Sequence, residues 1–147
     1  MHNLFSQLIA NRVLQTAVGA LLVAQILKVF FVLLLRGQLD LRFMLNSGGM
    51  PSSHSSLVSA LAVSIGRSYG FDSAFFAIAT VFALIVMYDA AGVRRAAGKQ
   101  AEVLNQIIEQ IYRNQNLTQE RLKELIGHTP IEVFAGCLLG ILFAFVY

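Results

Sequence analysis

Long apolar stretches alternate with short polar ones along the chain, and four helices follow from that pattern. Val13 to Leu35 is 23 residues interrupted by one charge, Lys28, and is long enough to cross a bilayer. Phe71 to Val93 is a second such stretch, with Asp72 at its edge and Asp89 inside. Ile131 to Tyr147 carries no charge except Glu132 near its start and is a minimal span. Leu57 to Gly66 is apolar but short, so it half-spans or continues to about Tyr69. Helices are therefore expected at about Asn11 to Leu35, Pro51 to Tyr69, Asp72 to Gly92, and from about Pro130 onward. The first twelve residues read as a polar lead. No signal peptide is expected, because the first apolar run is too long for an h-region and has no small-residue cleavage site.

A soluble excursion is expected between the third and fourth helices, and it looks ordered. Ala97, Ala101, Leu104, Ile108 and Ile111 recur at helical spacing, with Ile107 alongside. Lys99, Glu102, Gln106, Glu109, Gln110 and Arg113 lie elsewhere on the wheel. This is an amphipathic helix, on the membrane surface or against the bundle. Asn114 to Asn116 breaks it, Thr118 caps a short helix, and Gly127 ends that one. The fold class is all-α: one membrane-embedded helical bundle of about four spans, spanning residues 1–147, with an amphipathic helix on the cytoplasmic side.

Composition agrees with a membrane solvent. Of 147 residues, 56% are hydrophobic and 13% charged, against about 25% charged in soluble domains. The net charge of +3 is modest and the basic residues form no run, so no nucleic-acid partner is expected. Cys137 is single and sits in an apolar run, which excludes a disulfide framework and leaves it too deep to be a nucleophile. With four spans, Arg36, Arg42, Arg94, Arg95, Lys99, Arg113, Arg121 and Lys123 fall on one side, and Arg12 and Arg67 on the other. The positive-inside rule makes the richer side cytoplasmic, in the inner (plasma) membrane.

The candidate chemistry gathers on that side. Gly48-Gly49-Met50-Pro51-Ser52-Ser53-His54-Ser55 places two glycines, a proline expected at the first helical position, hydroxyls and an imidazole at one helix start. Backbone N–H groups, hydroxyls and a proton donor at such a terminus suit an anionic ester such as a phosphate. In Gly127-His128-Thr129-Pro130-Ile131-Glu132, Thr129 looks like an N-cap, Pro130 fits the first helical position, and Glu132 completes a capping box. Glu132 has a second reading, as acceptor of a proton from one His128 ring nitrogen, which would raise the nucleophilicity of the other. Lys28 lies about two turns inside the membrane from Arg36 and either faces a polar cavity or snorkels. Asp89 pairs with Lys28 or with Arg94. Arg94 and Arg95 are either membrane-edge anchors or part of a phosphate site. Together, cations would neutralise a phosphate, one imidazole would attack phosphorus and another would protonate the leaving oxygen. A metal set of His54, His128, Glu132 and Asp89 is a weaker alternative, since no His-x-x-x-His pair exists.

Three blocks, Gly48 to Ser55, Tyr88-Asp89-Ala90-Ala91-Gly92-Val93-Arg94-Arg95, and Gly127 to Val133, carry a resemblance to the type 2 phosphatidic acid phosphatase superfamily. More closely, they resemble its divergent bacterial branch, related to acid phosphatases and vanadium-dependent haloperoxidases. The superfamily's first motif is Lys, six residues, Arg-Pro; here seven residues stand between Lys28 and Arg36, and Gly37 follows. Its second is Pro-Ser-Gly-His, read here as Pro51-Ser52-Ser53-His54. Its third ends in His, three residues, Asp, matched by His128 and Glu132; Leu122 stands at its arginine position. The resemblance implies a phosphomonoester hydrolase with His128 as nucleophile, Glu132 orienting it and His54 as general acid. Lys28, Arg36, Ser52 and the Ser53 backbone would hold phosphate, Arg94 or Arg95 would replace the missing arginine, and Asp89 and Arg42 would support the site. The substrate would be a phosphorylated membrane lipid, phosphatidylglycerophosphate- or phosphatidate-like, with no cofactor. A non-catalytic phospholipid-binding or scaffold protein on the same fold is the alternative. A homo-oligomer would cover faces that so short a bundle leaves bare.

Overall fold

A computed structural model describes residues 3–36, 49–112 and 127–147, with nothing stated of the side chains at 35–36 and 110–112. Arg42, the Arg36 side chain and the short helix expected from Thr118 lie outside the described residues. Among the described residues the chain forms only helices: α1 (Leu4–Ala10), α2 (Arg12–Arg36), α3 (Ser53–Tyr69), α4 (Ala74–Ala91), α5 (Val93–Tyr112) and α6 (Pro130–Val146).

The amino-terminal lead is not the expected polar stretch. Leu4, Phe5, Leu8 and Ile9 repeat at helical spacing and form α1, with all four side chains exposed. Asn11 separates α1 from α2, its side-chain oxygen accepting the Leu14 N–H at 3.1 Å. The helix expected across Ala97 to Ile111 lies within α5. α5 begins one residue after α4 ends, with Gly92 between them, so the excursion grows directly out of the preceding helix.

The bundle is arranged inside out relative to a soluble protein. α2 and the Ala74–Glu109 stretch are long and apolar enough to cross a membrane, and α6 is a shorter apolar helix. Their large side chains, among them Ile26, Ile78, Ile85 and Phe134, point outward. The interior among the described residues is built instead mainly from alanine, serine and glycine. Lipid tails are as apolar as leucine, so helices in a bilayer associate through close backbone packing rather than by hiding large apolar groups.

α3 is the centre, packed against α6, α2 and α4. Its buried residues include Ser53, Ser55, Ser56, Ser59, Ala60, Ala62 and Ser64. α6 meets it through Gly136, Gly140 and Ala144, spaced four apart along one face. A Cβ on Gly136 would sit 2.2 Å from the Ser52 carbonyl oxygen, and one on Gly140 would sit 2.2 Å from that of Ser56. Ala20 of α2, Ala60 of α3 and Ala144 of α6 meet with no exposed surface. The Ser56 hydroxyl donates to the Ala20 carbonyl at 3.1 Å, fastening α3 to α2. Such interhelical hydrogen bonds contribute about 0.6 kcal/mol on average.

Gly140→Leu is therefore expected to force α3 and α6 apart and cost about 3 kcal/mol. Thermal unfolding of detergent-solubilised protein should show a clear drop in midpoint, whereas Leu142→Ala on the exposed face should move it little. Equal midpoints for Gly140→Leu and wild type would refute this packing.

Candidate active site

The starts of α3 and α6 are joined. The Ser52 N–H donates to the Glu132 carbonyl at 3.0 Å, so Ser52 is held outside α3 as its N-cap and the helix begins at Ser53. Pro51 thus precedes the cap and does not occupy the first helical position as its sequence context suggests. The Ser52 hydroxyl accepts from the Ser55 N–H at 3.4 Å and from the Ser55 hydroxyl at 3.0 Å. It is fully buried and serves the helix start rather than an open pocket. Ser53, equally buried, forms the first turn, where backbone N–H groups have no intrahelical partner.

α6 begins with the expected device. Thr129 caps it, Pro130 follows, and the capping box closes through Glu132, whose Oε2 accepts the Thr129 N–H at 2.8 Å. The Glu132 carboxylate therefore binds backbone, and no hydrogen bond joins it to the His128 ring. The orienting contact read from the sequence is not formed.

The remaining joint is between the segment before α6 and the α4–α5 junction. The His128 N–H donates to the Ala90 carbonyl at 3.0 Å. Gly127 lies so close to α5 that a Cβ there would come within 2.3 Å of the Arg95 nitrogen. Lys28 enters from α2 with 1% of its surface exposed. Its aliphatic stem rests on Gly49, whose φ of +100° and 3.3 Å clearance from Lys28 Cγ and Cδ both favour glycine.

These joints bring the two imidazoles together. The His54 and His128 ring centroids are 6.4 Å apart with planes inclined at 74°. His54 is exposed, whereas His128 is 2% exposed with neither ring nitrogen hydrogen-bonded. Arg94, Lys28 and Asp89 are the charges acting on His54; Glu132, Lys28, His54 and Arg94 act on His128. Asp89 pairs with Arg94 at 2.6 Å, which decides between its two candidate partners. Arg95 takes a different place. With Gly98, Lys99, Glu102, Gly127, His128 and Thr129 it lines a cavity of about 340 Å³. Lys99 and Glu102 had no site role in the sequence reading. Their signal is the spacing of Arg95, Lys99 and Glu102, which puts all three on one face of α5. Among the described residues no three His, Cys, Asp or Glu side chains are grouped for a metal ion; Asp89 and Glu132 are engaged by Arg94 and Thr129. The metal set weighed from the sequence is therefore not assembled.

His128 precedes α6 and lies outside the helices long and apolar enough to cross a membrane. Burial pushes its pKa below the ordinary imidazole range; Glu132 opposes this, and Lys28, His54 and Arg94 add to the depression. The folded ring is kept neutral, while the unfolded ring takes up a proton near pH 6.5. Below that pH the unfolded chain binds the extra proton, so stability present above it is lost as pH falls toward the folded pKa. The thermal midpoint of wild type should thus drop more between about pH 7.5 and 5 than that of His128→Gln. Parallel declines in the two proteins would contradict the buried neutral ring.

The model of the Divergent PAP2 family matches residues 9–143. A protein of Bacillus subtilis (strain 168), named uncharacterized membrane protein YuiD, is 41% identical over 151 residues, covering 95% of this chain and 96% of its own. No solved structure matches. The helix starts that carry Pro51-Ser52-Ser53-His54 and His128 to Glu132 fall within the matched region, and on that match the chain belongs to the divergent PAP2 family.

Proposed function

We propose that this protein is an integral membrane phosphatase that hydrolyses a phosphomonoester on a lipid, of phosphatidylglycerophosphate or phosphatidate type. One observation carries the reading: a buried imidazole with both nitrogens unpartnered lies 6.4 Å from a second, exposed one. A phosphate making contacts near 3 Å with each ring fits that spacing. A nitrogen of His128 attacks phosphorus as the P–O bond to the lipid alcohol breaks, and His54 gives its proton to the departing oxygen. Water then attacks the phosphohistidine, His54 takes the water proton, and phosphate leaves with His128 free again. Lys28, Arg95 and Arg36 neutralise the phosphoryl oxygens, with Arg95 replacing the arginine missing from the third motif. The route calls for no cofactor.

The proposed setting is the plasma membrane, with α2, α3, α4 and α6 as four spans and the histidines at the cytoplasmic face. Exposed Val103, Leu104 and Ile107 suit α5 to the membrane surface there. A second reading, phospholipid binding without turnover, is favoured by one contact: the Glu132 carboxylate holds the Thr129 N–H instead of the His128 ring.

Phosphate release by purified protein in nanodiscs separates the two. His128→Ala should reduce release by at least about 10³-fold. His54→Ala should lose about 10² to 10⁴-fold on a lipid ester. It should lose far less on p-nitrophenyl phosphate, whose leaving group needs no proton. Equal rates in wild type and His128→Ala would reject the assignment. Lipid binding that survives His128→Ala, with no turnover in wild type, would establish the second reading.

A further inference from the structure

The end of the bundle away from the histidines holds a second polar cavity, of about 230 Å³, lined by Arg12, Thr16, Ser64, Arg67, Ser68 and Tyr147. Lys28 is sixteen positions beyond Arg12 on α2, which is about 24 Å along a helix axis. The two cavities therefore lie at opposite ends of the bundle. Three helices build this one: α2 gives its first turn, α3 its last, and α6 its carboxyl end. The Tyr147 hydroxyl donates to Gln15 Oε1 at 3.1 Å and ties the rim of α6 to α2.

Two cationic side chains line this cavity and no Asp or Glu side chain does. Neither arginine has an ion-pair partner among the described residues. Arg67 has a structural reason to be present. It sits in the last turn of α3, donates to the Ala144 carbonyl near the end of α6, and lies 5.9 Å from the Phe145 ring centroid. Arg12 has no such reason. It occupies the first residue of α2, where the helix end is itself partly positive, and no acidic residue accompanies it in that turn. A cation at the positive end of a helix, facing a second cation across a hydroxyl-lined cavity, is an arrangement that an anion relieves.

We propose that this cavity is a binding site for a phosphate-ester anion at the membrane face opposite the histidines. Guanidinium groups offer paired N–H donors that match phosphate oxygens, and the serine, threonine and tyrosine hydroxyls complete the set. The ligand's chemistry is that of a lipid headgroup phosphate or of free phosphate. The site is assigned binding and not cleavage, since no His, Asp or Glu side chain lines it to activate a nucleophile. This holds whether or not the histidine site turns over.

Two titrations on detergent-purified full-length protein test the proposal: phosphatidylglycerol by native mass spectrometry, and inorganic phosphate by calorimetry. His54→Ala/His128→Ala removes the other candidate anion site, and in that background one phosphatidylglycerol should remain bound. Adding Arg12→Gln and Arg67→Gln should weaken it by at least about tenfold. Arg12→Gln alone leaves the Arg67–Ala144 contact in place, and should weaken binding without lowering the thermal midpoint. Phosphatidylglycerol binding without millimolar inorganic phosphate binding identifies the headgroup as the ligand. Inorganic phosphate binding that Arg12→Gln abolishes identifies the free anion. Unchanged affinity for both ligands in Arg12→Gln and in the double arginine variant overturns the proposal.

Discussion

Close approach of the α3 and α6 backbones is the constraint on which the rest of the structure depends. Gly136 and Gly140 leave no room for a Cβ against the Ser52 and Ser56 carbonyls, so the two helices meet almost main chain to main chain. Among the described residues the buried apolar side chains are mostly alanine, with Val58 and Val133 the larger ones, so apolar burial contributes little. The large hydrophobic residues are on the outside, where a soluble protein would aggregate and a membrane protein is solvated.

That contact also sets the candidate site. Ser52 is simultaneously the carbonyl that Gly136 accommodates, the N-cap of α3 and the donor to Glu132. His54 is two residues beyond it, and His128 is four before Glu132. The imidazoles are therefore placed by the same few backbone contacts that close the bundle, and Gly127 fixes the far side by packing on α5. A substitution at any of these glycines acts on stability and on ring placement together, because no flexible loop among the described residues stands between them.

Much of this was legible in the chain. The capping box at Thr129 to Glu132 follows from residue types at fixed offsets, and it formed as read. An apolar run leaves Lys28 two places, a polar cavity or the membrane interface, and the side chain is buried. What periodicity could not settle was competition for one group. Glu132 had two plausible partners, and the nearer backbone N–H holds it, because a capping contact closes within one turn at little entropic cost. Asp89 likewise went to the sequence neighbour Arg94 over the distant Lys28. Gly136-x-x-x-Gly140 carried a packing signal that hydropathy alone passes over, since glycine barely alters an apolar average. Lys99 and Glu102 looked like a solvated helix face; their place on the cavity wall depends on the Gly127 segment docking against α5, which is a tertiary fact.

A covalent intermediate tests the central claim most directly. Protein given lipid substrate labelled in its terminal phosphate, quenched within the first turnover at alkaline pH and digested, should carry acid-labile label on the peptide containing His128, and none in His128→Ala. Steady phosphate release with no label on that peptide, or label at another residue, would contradict the account.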